Sequence, residues 1–540
     1  MRYTSALCLA ATFLLLGLAD RSRAAPPRPN IILIMADDMG FSDLGCYGSE
    51  ILTPNLNELA KGGLRFTQFY NAARCCPTRA SLLTGLYPQQ TGVGHMMSDW
   101  RRPGYKGNLN RECVTIAEML AAHGYQTMMA GKWHVTRHTN PEGPKHTWPL
   151  QRGFEQFYGT IHGAGSYFDP VTLTRDNQFV RASGDFYYTE AISQRAAQYV
   201  EQAARSDKPF FLYVAYTAPH RPLHARPDDV ARYRGKYAMG WDELRVRRHR
   251  QMIQLGIVSP QWPLTPRDGR VAAWVDVPYQ SWHQRRMEVY AAQIDNMDRG
   301  IGLILEKLKQ AGKEQNTLVL FLADNGGCAE EIMSRWEGLH IPTRTHDGQA
   351  VQHGNNPNLL PGPENTYQSY GVPWANASNT PFRLYKHWVH EGGIATPLIV
   401  SWPAVIRTGG GLTHQVGHVT DVMPTCLEVA GVLYPSSFGG YRITRTEGKS
   451  LTPIFRGEVR QRDPIFWEHE GNRAVRDGKW KLVSRYPGKW ELYDMEADRT
   501  EMDDLAEKFP TIVTFMSGAY DEWAERAKVE PWDRALWAPR

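Results

Sequence analysis

Cysteine is scarce in this chain of 540 residues: Cys8, Cys46, Cys75, Cys76, Cys113, Cys328 and Cys426 make seven, and they are scattered. That spacing excludes a disulfide framework. No CxxC and no local Cys/His grouping occurs, so the sequence offers no zinc motif. Beyond the N-terminus no run is long and apolar enough to cross a bilayer, which argues against stable membrane insertion. Charge of one sign is also missing. The 61 Lys and Arg face 56 Asp and Glu for a net +5, and the two signs are interleaved, so nothing marks a nucleic-acid surface. An anionic ligand would have to be caught by a local site. There are no internal repeats.

The N-terminus carries Arg2, an apolar run from Ala6 to Ala19, and small residues at Ser22-Arg23-Ala24. The run is short for a bilayer span. It reads as a signal peptide over residues 1–24, cut near Ala24, and so as a secreted or periplasmic protein; an uncleaved anchor is the alternative. Cleavage removes Cys8 and leaves six cysteines.

Asn30–Ala36 is an unbroken apolar run suited to a buried parallel strand, and Asp37-Asp38 follow it directly. Thr53 as N-cap and Pro54 open a helix that Gly62 stops. Thr115-x-x-Glu118 is a capping box opening another. A strand over Tyr125–Ala130 runs into GKWH. A helix near Thr189–Arg205 precedes the strand Pro209–Tyr216 and TAPH. An amphipathic helix near Arg286–Gln310 precedes the strand Thr317–Ala323 and DNGG. Pro397–Ser401 is one more buried strand. The order is that of an α/β protein with a large, mostly parallel mixed sheet flanked by helices. In such sheets ligands bind at the carboxyl ends of strands, where the polar clusters are expected. Cys328–Thr380, without periodicity, reads as loops over a site. Beyond Pro453 the texture changes: short strands at Ile465–Glu468, Arg473–Arg476, Lys479–Ser484 and Trp490–Tyr493, a turn at Asp477-Gly478 and a helix within Pro510–Ala527 predict a small antiparallel sheet with a helix. The expected division is a catalytic unit over residues 26–455 and a C-terminal α/β subdomain over 456–540.

The most specific stretch is Cys75-Cys76-Pro77-Thr78-Arg79 with its Leu-Leu-Thr-Gly tail. A vicinal disulfide is strained and disfavoured. The stretch resembles the C-x-P-x-R signature of the type I sulfatases, the arylsulfatase-like branch of the alkaline-phosphatase-like superfamily. In that family the first Cys, here Cys75, is oxidised by a formylglycine-generating maturation enzyme to formylglycine (3-oxoalanine). The chemistry is coherent: a hydrated aldehyde offers one hydroxyl to attack sulfur and a second whose deprotonation ejects sulfate, whereas a thiolate would leave a stable adduct. A helix starting at Cys75 would favour an anion at its N-terminus, and Arg79 would hold the hydrate.

Asp37-Asp38 and Asp324-Asn325 each end a predicted strand. Three carboxylates and an amide oxygen suit Ca2+, with Mg2+ second; alone, each pair reads as readily as a turn or cap. The resemblance implies that these four, with the modified Cys75, are the calcium ligands. It also implies that Lys132 binds a sulfate oxygen, that His134 takes the proton releasing sulfate, and that His220 and Lys386 hold the bridging oxygen, one of them protonating the leaving alcohol. Val135-Thr136 depart from the family's usual Leu-Gly after GKWH. Trp133, Trp374 and Trp388 read as packing residues, and Asp295 and Asp298 as surface or helix-contact residues. The expected substrate is a small sulfate ester or a sulfated glycan. Two alternatives are a phosphatase or phosphodiesterase of the same superfamily, and a catalytically silent glycan-binding protein. Against the former, Asn325 stands where a zinc-binding His would be expected and the nucleophile position is Cys75.

Overall fold

The chain from Asn30 to Ala36 forms strand β1 with every residue buried, as its apolar run predicts. Its alternate side chains serve two cores. Ile32, Ile34 and Ala36 face one side with helices Tyr188–Ala203 and Gln280–Gln310, while Ile31, Leu33 and Met35 face the other with helices Cys75–Thr84, Ile116–Ala122 and Val422–Ala430. A sheet covered on both faces is the physical reason its strands read as continuous apolar runs. The structure, a computed structural model, describes residues 28–533; the targeting segment read at residues 1–24 lies outside the described residues.

The remaining strands are β2 (Leu64–Tyr70), β3 (Gln126–Gly131), β4 (Gln156–Thr160), β5 (Leu173–Arg175), β6 (Gln178–Phe179), β7 (Phe210–Ala215), β8 (Thr317–Ala323), a two-residue ladder of β9 (Gln352–His353) and β10 (Thr366–Tyr367), β11 (Ala395–Ser401), β12 (Gly411–Thr413), β13 (Gly417–His418), a hairpin of β14 (Ser437–Phe438) and β15 (Tyr441–Arg442), and β16 (Ile465–His469), β17 (Asn472–Asp477), β18 (Trp480–Ser484) and β19 (Glu491–Asp494). The large sheet runs β12-β2-β11-β8-β1-β7-β3-β4-β5-β6, with β13 also beside β2. Strands β8, β1, β7, β3 and β4 are mutually parallel. β11 is antiparallel to both β8 and β2, so β2 points the same way as the central strands.

The small antiparallel sheet β16-β17-β18-β19 carries helix Pro510–Ala527 on one face, through Val475, Leu482, Leu492, Met516 and Trp523. Its other face, including Ile465, Trp467, Ala474 and Val483, joins the core of the large sheet. Asp477 still pairs with Trp480, so the tight turn is Gly478-Lys479, one residue later than expected. Gly478 supplies the positive φ of 54°.

A buried ionic cluster locks this layer to the rest. Lys481 Nζ lies 2.9 Å from Glu391 Oε1 and 2.7 Å from Glu501 Oε1, and Arg499 Nε lies 2.8 Å from Glu391 Oε2; all four side chains are fully buried. Lys481→Met would remove the ammonium that both buried carboxylates share, leaving Glu391 with Arg499 and the Tyr70 hydroxyl and Glu501 with the Glu391 N–H. It is expected to cost about 3–5 kcal/mol, read as a lower urea midpoint at unchanged slope.

Tertiary partners replace some predicted local ones. Thr53 does not cap helix Pro54–Lys61; its hydroxyl donates to Asn57 Oδ1. The cap is Asp298, which accepts from the backbone N–H groups of Asn55 (3.1 Å) and Leu56 (2.8 Å). Asp298 and Asp295 are both buried, so they are helix-contact residues and not surface ones. The capping box at Thr115 and Glu118 forms as predicted. The helix expected from Arg286 begins at Gln280, because its first turns are too polar to show periodicity. Helix Gly240–Gln254 buries Arg245 and Arg248 on the same face as Trp241, Leu244 and Met252. Arg248 is paired with Asp43 at 2.6 Å and Glu50 at 2.8 Å.

Two buried histidines outside the predicted site set an acid limit. Burial pushes His224 down to about 4, and burial, reinforced by Arg462, pushes His418 down to about 3. The unfolded chain therefore binds more protons between those values and roughly pH 6.5. The stabilisation is complete above about pH 6.5 and is lost as pH falls toward 4, by about 3 kcal/mol for each histidine. Thermal unfolding between pH 7.5 and 4.5 should show that slope, and His418→Asn should flatten it.

Candidate active site

All the predicted site residues meet at one edge of the sheet. Asp37 and Asp38 leave β1, Lys132 and His134 leave β3, His220 follows β7, and Asp324 and Asn325 leave β8. Cys75 opens helix Cys75–Thr84, five residues past the end of β2. Lys386 departs from the expectation that every cluster lies at a carboxyl end. It precedes β11, which is antiparallel, so its amino end lies at the same edge. Lys386 is held there by its N–H to Gly327 O (3.2 Å) and the N–H of His387 to Ala73 O (2.8 Å).

The three carboxylates are buried and each meets a cation. Lys132 Nζ donates to Asp37 Oδ2. Lys386 Nζ lies 2.8 Å from Asp38 Oδ1, and Arg79 donates twice to Asp324 Oδ2, at 2.8 and 3.2 Å. Arg79 thus sits between Asp324 and Asp37, the latter at 3.4 Å. Asn325 Nδ2 donates to Asp38 Oδ1 (2.7 Å) and the Asp38 N–H to Asp324 Oδ1 (3.1 Å). Two buried oxygens, Asp37 Oδ1 and Asn325 Oδ1, have no hydrogen-bond partner among the described residues. Unpaired buried acceptors of this kind are costly, and an oxygen-seeking cation would satisfy both, so the donor set fits Ca2+. Burial drives Asp38 up, but Lys386 and His220 outweigh it and hold the carboxyl at about 2. Burial and the Asp324 charge keep Asp37 well above the usual carboxylate range.

Cys75 is fully buried on the first helical turn. A hydrogen bond from Cys76 holds its thiol well below the ordinary range; burial opposes this, and Lys132, His134 and Lys386 reinforce it. Cys76 reaches the site as well, since its Sγ lies 3.2 Å from His134 Nε2. Burial and the Lys132 charge push His134 down to about 3, so its ring is neutral. His220 donates Nδ1–H to Arg221 O (2.5 Å), which turns Nε2 toward Asp38 Oδ2, 3.4 Å away. Asp38, Ala73, His134 and His387 all have positive φ, at 63°, 62°, 57° and 93°. Such strain gathers at sites where geometry is over-determined. Gly163 is required beside them, because a Cβ there would lie 2.1 Å from the His134 ring.

Residues that motif reading missed form the rim. Arg74 and Arg221 share Glu330 at 2.9 and 2.5 Å, and Trp336 lies under Arg221 at 5.0 Å. His162 stacks on His340 at 5.1 Å. Glu330, Trp336 and His340 come from the stretch expected to overlie a site. That stretch also holds an unpredicted helix, Gly371–Ser378, whose Trp374 is fully buried. Trp133 is buried too. Arg74 and His162 were detectable as polar residues next to a motif or a strand end.

Comparison with known proteins agrees with this architecture. The Sulfatase family profile matches residues 29–432, and the profile described as N-sulphoglucosamine sulphohydrolase, C-terminal, matches residues 382–516. An uncharacterized sulfatase of Schizosaccharomyces pombe is 32% identical over 92% of this chain and 93% of its own length. An arylsulfatase of Klebsiella aerogenes is 35% identical over 85% and 98%. Among solved structures, Ps i-CgsB in complex with k-i-k-neocarrahexaose superposes with a TM-score of 0.68 at 24% identity, covering 95% of this chain and 98% of that one. BT4656 in complex with its substrate D-glucosamine-2-N,6-O-disulfate gives 0.63 at 21%, over 94% and 100%. These two share the fold. The profile runs unbroken from β1 past β13, and the two relatives match along most of their own length, so the chain belongs to the sulfatase family and is a sulfatase enzyme.

Proposed function

We propose that this enzyme hydrolyses sulfate esters of carbohydrates outside the cytoplasm, using a formylglycine made from Cys75 by a maturation enzyme and a Ca2+ held by Asp37, Asp38, Asp324, Asn325 and the modified residue 75. The observation that carries the reading is Cys75 on the first turn of a buried helix, with Lys132, His134 and Lys386 acting on it and the four oxygen ligands alongside. A hydrated aldehyde at 75 would supply one hydroxyl to attack sulfur and a second to drive sulfate out. Ca2+ would supply Lewis-acid polarisation of the sulfate oxygens.

The chain's own residues do the rest. Helix Cys75–Thr84 presents free N–H groups to an anion at its start. Lys132 and Lys386 offer ammonium groups to sulfate oxygens. His134, neutral, accepts a proton at Nε2 beside residue 75. His220 and Lys386 flank Asp38 and hold the bridging oxygen, and one of them returns a proton to the leaving alcohol. Arg79 keeps Asp324 and Asp37 in register.

Sulfated sugars as substrates are supported by the sulfated glucosamine bound as substrate to BT4656 and by a relative named N-acetylgalactosamine-6-sulfatase, from mouse. The Arg74–Glu330–Arg221 rim and the C-terminal layer would set the preference. Export rests on the N-terminal apolar run; no helix of the described residues is long and apolar enough to cross a membrane. The test compares an aryl sulfate, the matching aryl phosphate and a panel of defined sulfated sugars. Sulfate turnover should exceed phosphate turnover by at least about a hundredfold, with one sulfated sugar standing out. Faster phosphate turnover would overturn the reading, and equal, feeble activity on every sugar would remove the carbohydrate assignment.

A further inference from the structure

A second group of metal-ligating side chains lies outside the catalytic centre. His95 comes from the loop after helix Pro88–Thr91, His387 follows Lys386, His469 ends β16 and Glu470 comes directly after it. Glu470 and Gly471 form the two-residue turn between β16 and β17, where His469 pairs with Asn472 and both turn residues have positive φ. That turn aims the Glu470 carboxylate back at the three imidazoles. His95 Nε2 lies 2.7 Å from Glu470 Oε1, His469 Nε2 lies 3.8 Å from the same oxygen, and His387 Nδ1 lies 3.2 Å from Oε2.

The decisive feature is His469. It is 1% exposed, yet neither ring nitrogen has a hydrogen-bond partner among the described residues. A buried polar group left unpaired in this way costs free energy and calls for a reason. One ligand atom each from His95, His469 and Glu470 lies within 4.8 Å of the other two. A tetrahedral zinc ion would draw its ligand atoms to about 3.4 Å from one another, which small side-chain rotations supply. His95 and Glu470 are partly exposed, so an ion can enter and a water can complete the shell.

We infer that His95, His469 and Glu470 form a zinc site, with His387 holding the second oxygen of Glu470. Two imidazoles and one carboxylate, with no thiolate, suit Zn2+ and fit Ca2+ poorly. The hydrogen bond from His387 is the kind of outer contact that orients a ligating carboxylate. Asn472 Nδ2 donates to His387 Nε2 at 3.4 Å, which leaves Nδ1 as the donor to Glu470. The ion would fasten the small-sheet turn to the His95 loop and, through Glu470, to the segment that carries Lys386. No local motif marks it, because the ligands come from separate segments brought together only by the packing of the small sheet.

The test uses the full chain stripped of metals, then dialysed against Zn2+ with excess Ca2+ to keep the oxygen site filled, followed by gel filtration and elemental analysis. About one zinc per chain should be retained, with a rise in melting temperature, and both should vanish in His469→Asn and in His95→Gln. His95→Gln is on a partly exposed loop and keeps the test decisive should the buried variant fail to fold. Co2+ in place of Zn2+ should give visible d–d bands without a thiolate charge-transfer band. Failure of the wild-type chain to retain zinc would overturn the inference. So would equal retention by His95→Gln, or a thiolate band that disappears in Cys76→Ala, which would put the ion at the catalytic cysteines.

Discussion

Cys75→Ala is expected to lower turnover of an aryl sulfate by on the order of 10^6-fold, the loss seen when a covalent nucleophile is removed. The fold should survive, since the change removes one sulfur from a site 1% exposed and costs about 1 kcal/mol. Melting temperature and circular dichroism should therefore be close to wild type while activity is gone. Alanine is preferred to serine because it carries no group that could be oxidised in its place. The partner experiment is peptide mass spectrometry of the active enzyme: the Cys75 peptide should be lighter by the mass of hydrogen sulfide less one oxygen, the change from thiol to aldehyde. Cys76→Ala should retain most activity, because Cys76 touches His134 and supports Cys75 without standing at the nucleophile position. Comparable losses in the two variants would mean that the pair acts jointly and would remove the aldehyde mechanism.

Removing the divalent cation with a chelator is expected to cost about a thousandfold in kcat/KM, several kcal/mol of transition-state stabilisation. Added Ca2+ should restore it, and Mg2+ should do so less well. Asp324→Asn should reproduce the loss without chelator and resist rescue. That carboxylate accepts both hydrogen bonds from Arg79 and the backbone N–H of Asp38, so its neutralisation loosens the ligand set and the arginine together. Ca2+ should also raise the melting temperature of the wild-type chain and not of the variant, because an ion that binds only the folded state stabilises it. Full activity after exhaustive chelation would sink the metal assignment.

Much of the central sheet and of the site was legible in the chain alone. The apolar runs before Asp37, Lys132, Thr217 and Asp324 announced buried parallel strands, because a sheet covered on both faces must be apolar on both. The C-x-P-x-R stretch singled out Cys75 and Arg79. The capping box at Thr115 formed because its two partners are three residues apart. Local signals of this kind need only local geometry.

Tertiary structure decided the rest. Thr53 lost its cap to Asp298, 245 positions on in the chain, since a buried carboxylate across the helix interface can satisfy two N–H groups at once. Helix Gly240–Gln254 was illegible because Arg245 and Arg248 interrupt its buried face of Trp241, Leu244 and Met252, and Asp43 and Glu50 explain why Arg248 can be inside. Lys386 reaches the site by entering an antiparallel strand, an orientation no local pattern encodes. The Arg74–Glu330–Arg221 rim and the His95–His469–Glu470 cluster exist only once distant loops meet. A motif names the residues that do chemistry; long-range packing chooses their neighbours, because burial and charge pairing are properties of the assembled chain.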